Sequence, residues 1–164
     1  MKIYLFLLFF PIFIVSQALV WEKNFGGILY DQGFCIEKTS DNGYIIAGRK
    51  GAITETTENT PSSSVNGDLY IIKVNQNGGV EWEETYENEN PDEFSYAKCI
   101  KEDLINGGYI IGGSHVLKIN NNNPPELEWS NYDINSEDII ITELGEYISV
   151  GGSSLNCKNP NNGF

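Results

Sequence analysis

After an apolar N-terminal run, the chain alternates short apolar stretches with polar turns, as β-strands and their connections do. One turn that leads into a strand, DNGYIIAG at residues 41–48, recurs as NGGYIIGG at residues 106–113. A weaker copy, LGEYISVGG, stands at residues 144–152. Asn and Gly favour tight turns with positive φ, whereas Tyr, Ile and Val favour strands. No convincing amphipathic helix follows the N-terminal run, so the sequence predicts an all-β fold.

Tryptophans mark the period of this pattern. Three units open at Trp21, Trp82 and Trp129, and the first two close on Glu-Trp after a further pair of strands. Four short strands in each unit of roughly 45 to 60 residues are typical of β-propeller blades. Residues 50–66 are rich in Ser and Thr and are interpreted as a surface loop within the first blade. The sequence predicts a partial β-propeller of about two and a half four-stranded antiparallel blades at residues 17–164.

Positions that recur between units are assigned a structural role. They are the tryptophans, the turn glycines with the tyrosines that follow them, and a lysine in the third strand: Trp21, Trp82, Trp129, Gly43, Tyr44, Gly108, Tyr109, Lys73 and Lys118. We expect Tyr44 and Tyr109 to be equivalent, the glycines to allow close backbone approach near the propeller axis, and the isoleucines to pack against the next blade. The two lysines are expected to pair with nearby acids or to cover apolar surface with their stems.

Residues 1–16 have the features of a secretory signal peptide: one Lys, an apolar run, and small residues at a cleavage site after Ser16 or Ala18. The alternative is an uncleaved anchor, because residues 3–20 approach the roughly 20 apolar residues that a membrane span needs. Pro11 and the lack of a basic flank favour the signal peptide. The sequence therefore predicts a secreted or cell-surface protein with no membrane span after cleavage.

The net charge bears on the binding partners of the protein, and the cysteine content bears on its disulfide bonds. The formal net charge of −13 disfavours nucleic acid and anionic membranes as partners. With three cysteines, Cys35, Cys99 and Cys157, at least one thiol has no partner within the chain. Cys35 and Cys99 are expected at equivalent positions in adjacent sheets, about 10 Å apart, whereas a disulfide needs Cα atoms within about 7 Å. We therefore expect no bond between these two cysteines.

Candidate chemistry is sparse. Asp31, Asp92 and Asp138 follow the three tryptophans at similar spacing, and such carboxylates either bind Ca²⁺ or accept backbone N–H bonds in turns. Because no dense D-x-D-x-D-G loop is present, turn capping is favoured, no cofactor is expected, and Ca²⁺ is a weak alternative. The sequence contains no G-x-S-x-G, H-E-x-x-H or phosphate-loop motif, and the single His115 is interpreted as structural. No catalytic residue is assigned.

The first unit carries WEKNFGG at residues 21–27, SDNGYIIAG at residues 40–48 and DLYIIKVNQNGGVEW at residues 68–82. These motifs resemble a family of tandem repeats in exported bacterial and archaeal proteins, with occasional protist relatives. Its pattern is W-x-K-x-F-G-G, D-G-G-Y-I-x-A-G and D-x-Y-I-I-K-V-N-x-x-G-x-x-x-W. The resemblance covers the chain after the signal peptide and weakens from the first unit to the third. It implies a β-propeller fold and export, but no reaction.

Two functional hypotheses follow. The first is a secreted, non-enzymatic propeller module that binds protein or carbohydrate or acts as a scaffold. The alternative is a fragment of a propeller enzyme, quinoprotein-like or glycan-active, whose active residues lie in other blades; the closing Val-x-Trp resembles quinoprotein dehydrogenase blades at the level of fold alone. Two and a half blades do not close a ring of the usual four to eight. We interpret the chain as a segment of a longer repeat protein, with closure by oligomerisation as the alternative.

Overall fold

The computed structural model describes residues 21–52, 56–57, 60–61, 67–87 and 95–152. The predicted signal peptide, Asp92 and Cys157 lie outside this part of the chain. Within it, the regular elements are all β-strands, as the sequence predicts. In chain order they are β1 (Tyr30–Lys38), β2 (Tyr44–Ala52), β3 (Thr56–Thr57), β4 (Thr60–Pro61), β5 (Asp68–Val74), β6 (Val80–Tyr86), β7 (Ala97–Glu102), β8 (Tyr109–Gly113), β9 (Val116–Ile119), β10 (Leu127–Asn131), β11 (Asp138–Ile141) and β12 (Tyr147–Val150).

The strands form consecutive antiparallel sheets. The first sheet has the order β1-β2-β5-β6, and the second has the order β7-β8-β9-β10. A third sheet consists of β11 and β12, and the short hairpin of β3 and β4 lies within the segment that the sequence predicts to be a loop of the first unit. All described strand pairs are antiparallel and lie within one sheet. The predicted succession of four-stranded antiparallel sheets is confirmed for the first two units.

Strand pairing also defines which residues are equivalent in the three sheets. Tyr44 opens β2 opposite Lys38, Tyr109 opens β8 opposite Glu102, and Tyr147 opens β12 opposite Ile141. The predicted equivalence of Tyr44 and Tyr109 is therefore confirmed.

The two described cysteines are equivalent by the same criterion. Cys35 lies opposite Ala47 in the first sheet, and Cys99 lies opposite Gly112 in the second. Both thiols are free, which agrees with the expected lack of a bond between them.

Successive sheets pack face to face, because side chains alternate between the two faces of a strand. The core between the first and second sheets consists of Ile45, Ala47, Leu69 and Ile71 from one and Ala97, Ile100, Tyr109, Ile111, Leu117 and Ile119 from the other. Between the second and third sheets, Ile110 and Cys99 pack with Ile139. Ile45 and Ile110 are equivalent, so the predicted packing against the next sheet is confirmed for the first isoleucine of each copy. It is wrong for the second: Ile111 packs against the preceding sheet, and Ile46 packs with Trp21 and Phe25.

The sheets approach each other most closely at their first strands. The second sheet contacts the first mainly through β7, which lies against β1 and β2, and β11 lies against β7 and β8. Backbone hydrogen bonds join the sheets at this edge, from Ser95 N–H to Gly67 at 2.7 Å and from Ser136 N–H to Gly113 at 2.8 Å. The outer face of the first sheet is partly covered by Trp21 and Phe25, from the segment that precedes β1.

One glycine in each sheet is required by close backbone approach. It stands four residues after the equivalent tyrosine, where a Cβ would overlap a carbonyl oxygen of the segment that carries the first strand: Gly48 against Gln32, Gly113 against Tyr96 and Gly151 against Asn135. The first strands of the two complete sheets are irregular near this point, which brings those carbonyl groups close. The turn glycines Gly43 and Gly108 also lie close to backbone, since a Cβ would overlap Val74 O at the first and Ile119 O at the second. The close backbone approach expected of these two glycines is thus seen within each sheet.

We predict that Gly48→Ala lowers the free energy of unfolding by about 1–3 kcal/mol, because the new methyl group forces the β1 backbone away from β2. Gly33→Ala in β1 is the matched control, since its Cβ would meet only Ile46 Cγ2, at 3.8 Å. Urea denaturation of both variants measures the difference. Equal losses of stability in the two variants would contradict this explanation.

Candidate functional site

Two lysines lie almost fully buried in the third strands of the complete sheets. Lys73 in β5 donates to Asp41 Oδ2 at 2.7 Å and to Glu81 Oε2 at 2.9 Å. A buried ammonium group must be paired, because its desolvation is costly. Asp41 lies in the turn between β1 and β2, and Glu81 lies in β6. One lysine therefore links a turn to the third and fourth strands of its sheet.

Lys118 in β9 has a corresponding environment. Its Nζ lies 3.3 Å from Glu128 Oε2 and 3.9 Å from Asp103 Oδ2, and it donates to the Gly107 carbonyl group. Glu81 and Glu128 each directly precede the closing tryptophan of their unit. The predicted pairing of Lys73 and Lys118 with acids is confirmed.

The two aspartates reach these lysines from different turn positions. Thr39 N–H donates to Gly43 O, and Asp103 N–H donates to Gly108 O, so Asp103 is equivalent to Thr39. Asp41 stands two residues further along its turn. A comparison of the two sequences position by position therefore does not identify them as counterparts.

Hydrogen bonds set the charge states in both clusters. The bond from Lys73 is the main reason that the pKa of Asp41 falls to about 2, and the Thr39 hydroxyl adds to this effect. Burial alone would lower the pKa of Lys73, but the bonds to Asp41 and Glu81 outweigh it and raise that pKa. Burial would raise the pKa of Asp103, but donors from the Asn106 backbone and the Tyr147 hydroxyl lower it. These groups therefore remain ionised at neutral pH.

A tryptophan–tyrosine contact accompanies each junction between successive units. Ring centroids are 6.0 Å apart for Trp21 and Tyr44, 6.0 Å for Trp82 and Tyr109, and 5.9 Å for Trp129 and Tyr147. Trp82 and Trp129 lie in the last strand of one sheet, and their tyrosines open the second strand of the next. Trp21 makes the same contact from the segment before β1. Such edge-on or tilted aromatic pairs contribute about 0.5–1.5 kcal/mol beyond the area that they bury.

The tyrosine of one sheet also reaches the lysine cluster of the preceding sheet. The Tyr147 hydroxyl donates to Asp103 Oδ2 at 2.5 Å, and burial together with this bond raises the pKa of Tyr147 to about 12. Asp41 and Glu81 are among the charges that raise the pKa of Tyr109, after burial as the main cause. The bond to Asp103 therefore stabilises the junction between the second and third sheets, and in both clusters the acids already pair with the lysine.

Two of the weak calcium candidates, Asp31 and Asp138, lie in the described part of the chain, and neither belongs to a group of acids that could hold a metal ion. Asp31 accepts N–H bonds from Gly27 at 2.5 Å and Gly51 at 2.9 Å, which is the turn-capping role favoured from the sequence. Asp138 lies opposite Val150. Its level in the third sheet is that of Cys35 and Cys99 in theirs. Asp31 and Asp138 therefore occupy different places in their sheets, although their spacing from the tryptophans is similar. In the described part of the chain, no group of three or more His, Cys, Asp or Glu residues is arranged to hold a metal ion.

His115 is buried and stacks on Tyr132 with ring centroids 4.6 Å apart. Its Nδ1 lies 3.1 Å from Ser114 Oγ, and its Nε2 is buried without a hydrogen-bond partner. A catalytic Ser-His arrangement needs a reachable serine and a third group that orients the imidazole. The Ser114 hydroxyl instead accepts the Tyr96 N–H at 3.1 Å, and His115 is only 1% exposed. This geometry agrees with a structural role for His115.

A cleft of about 210 Å³ lies between residues 23–25 and the outer face of the first sheet. Its lining combines the apolar side chains of Phe25, Ile46 and Ile72 with the charged Lys23 and Arg49. The equivalent faces of the second and third sheets are covered by the preceding sheet. Sequence patterns give no signal for this cleft, because it depends on how much of the first sheet the N-terminal segment leaves open.

Comparison of the chain with protein-family models, with curated proteins and with solved structures finds no match. Among the described residues, no helix has the length and apolar character needed to cross a membrane.

We predict that Lys118→Met destabilises the protein more than Lys73→Met does. Asp103 is fully buried and would keep its negative charge with the neutral donors of its turn and Tyr147 but without the Lys118 ammonium group, at a cost of about 3–5 kcal/mol. Asp41 is half exposed and can regain water, so Lys73→Met should cost less, about 1–3 kcal/mol. Urea denaturation at neutral pH checks the order. The double variant Lys118→Met/Asp103→Asn should recover part of the loss, and no recovery would refute the pairing.

His115 should make stability depend on pH in a defined window. Burial lowers its pKa from 6.5 to about 4, so the unfolded chain binds a proton before the folded chain does. Stability should fall by about 3 kcal/mol as the pH decreases from about 6.5 to about 4, with no further loss from this group below that. We expect His115→Gln to flatten this part of the curve, whatever its stability at neutral pH. Denaturant titrations across the window measure the slope, and an unchanged slope would contradict the prediction.

Proposed function

We propose that the chain is part of an exported, non-enzymatic β-propeller that acts as a binding or scaffold module for protein or carbohydrate. The observation that carries the proposal is the tryptophan–tyrosine contact, which occurs at both junctions between sheets and again where the segment before β1 packs on the first sheet. Sheets that follow one another in chain order, with neighbouring first strands, support a radial arrangement of blades.

The environment of the charged groups supports a role without catalysis. A general acid or base must reach a proton of the substrate, and its pKa must suit that transfer. Lys73, Asp41 and Glu81 bind one another, and Asp103 accepts bonds from its own turn and from Tyr147. His115 is buried against Tyr132. The hydrogen bonds and ion pairs of these groups therefore stabilise the sheets and their packing.

Export is tested by the N-terminus of the mature protein. The full coding sequence is expressed in a secreting host, and the protein in the medium is subjected to N-terminal sequencing. We expect the sequence to begin at Gln17 or Leu19, after cleavage following Ser16 or Ala18. A protein that stays in the membrane fraction with residues 1–16 intact would support the anchor instead.

The non-enzymatic role is tested on the same secreted protein. We expect saturable binding on an array of glycans and extracellular proteins, lost after heat denaturation. We expect no turnover of chromogenic glycosides, and no oxidation of alcohols or sugars after addition of pyrroloquinoline quinone, Ca²⁺ and an electron acceptor. Turnover above the denatured control would favour the enzyme-fragment alternative and overturn this proposal.

A further inference from the structure

The outer face of the third sheet exposes side chains that are buried elsewhere in the stack. Ile148 is 55% exposed, whereas the equivalent Ile45 and Ile110 are fully buried between sheets. Val150 is likewise exposed, although its counterpart Ala47 is buried. The exposed side chains of this face therefore stand at the positions through which the first and second sheets contact the sheet that follows them.

The outer face of the first sheet has the complementary property. Ile36 in β1 is 57% exposed, whereas the equivalent Ile100 and Ile139 are almost fully buried against the preceding sheet. The two ends of the stack thus present the two halves of one kind of interface. The third sheet presents the half that faces forward, and the first sheet presents the half that faces backward.

The open areas of the two faces also correspond. On the first sheet, Trp21 occupies the place that a closing tryptophan of a preceding sheet would take, because it contacts Tyr44 as Trp82 contacts Tyr109. The cleft beside Phe25 stays open, and it is lined by β1, β2 and part of β5. Within the described residues, the third sheet consists of its first two strands alone. Those two strands correspond to β1 and β2 of the open face, and Trp21 takes the place of the closing tryptophan.

Charge identifies the occupant. Between the first and second sheets, Ser40 donates from its N–H and its hydroxyl group to the Glu102 carboxylate, at 2.7 and 2.8 Å. At the two ends of the stack, the positions equivalent to Ser40 and Glu102 hold Glu143 and Lys38. Glu143 and Lys38 have opposite charges. A second copy of this chain, packed on the third sheet, would therefore place its Lys38 opposite Glu143, as Glu102 lies opposite Ser40.

We propose that copies of this chain associate head to tail, with the β11–β12 face of one copy packed on the β1–β2 face of the next. Ile148 and Val150 pack over Ile36 and Ile46 of the next copy, and Glu143 pairs with its Lys38. The inference rests on the proposed scaffold role and names the partner of that scaffold. Because the two surfaces differ, such an interface forms a ring if the rotation closes and an open chain if it does not.

Sedimentation velocity of the secreted protein over a wide range of concentration tests the association. We expect self-association that increases with concentration, and its loss in Ile148→Glu, because a carboxylate would be buried in an apolar interface. Ile148 is exposed within one copy, so thermal unfolding of the variant should stay unchanged. Leu127→Glu is the matched control, since Leu127 is also exposed but lies in β10, away from both faces.

A charge exchange tests the orientation. Lys38→Glu and Glu143→Lys should each weaken self-association by about tenfold or more, because each places like charges together. The double variant should restore it. In the native protein, carbodiimide should join Lys38 to Glu143 in the associated fraction alone, as mapped by mass spectrometry.

A protein that stays monomeric at every concentration overturns this inference, as does self-association that Ile148→Glu leaves unchanged. A further unit of a longer chain or a different protein would then be the occupant of these faces. The proposed function fails separately: a monomer that binds glycans leaves that function intact. Conversely, an associating protein with enzymatic turnover refutes the function and leaves head-to-tail association standing.

Discussion

The structure depends on the burial of one ammonium group in each complete sheet. Lys73 and Lys118 cannot lie between strands without carboxylates, so the turn after the first strand and the fourth strand must both approach the third. That requirement fixes the relative positions of three strands through one side chain. Apolar side chains supply the main driving force for packing, and their alternation sets the strand register that these charged pairs require.

The same clusters connect each sheet to the next. Tyr147 donates to Asp103 while Trp129 packs against the ring of Tyr147, so one tyrosine joins the charged cluster and the aromatic contact. Each junction therefore combines a hydrophobic face, an aromatic pair and a carboxylate. A stack of this kind gains stability from its junctions as well as from its separate sheets. Within the described residues, the two end faces expose Ile36, Ile148 and Val150, whose counterparts in the other sheets are buried at a junction.

Much of this arrangement is predictable from local sequence. The repeated turn and GYII strand identify the hairpins and the equivalent tyrosines, since φ preference and β propensity act over a few residues. The aspartate partners of the lysines are not predictable from the repeat, because Asp41 and Asp103 occupy different turn positions. They correspond only in the folded structure, where each approaches the lysine of its sheet. The sequence does contain a sign of the other acidic partner. Both units close on Glu-Trp, and this glutamate pairs with the lysine of its sheet. Asp138 is misaligned because the connection from the tryptophan to the first strand differs in length: equivalent levels lie 14 residues after Trp21, at Cys35, and 9 after Trp129, at Asp138.

The glycine after each GYII strand shows why one sequence element serves three sheets that differ elsewhere. Its lack of a side chain lets the segment carrying the first strand come close to the second strand, at the edge where the sheets are nearest to one another. Bulkier residues there would move the strands apart. The backbone hydrogen bonds from Ser95 and Ser136, which join successive sheets, would then lengthen or break. In the turn of the third copy, Thr142 and Leu144 stand at the positions of Asp103 and Asp41, yet Tyr147 and Gly151 are kept. Tyrosine and glycine thus accompany the junction in every described sheet, whereas the aspartates accompany the lysines of the two four-stranded sheets.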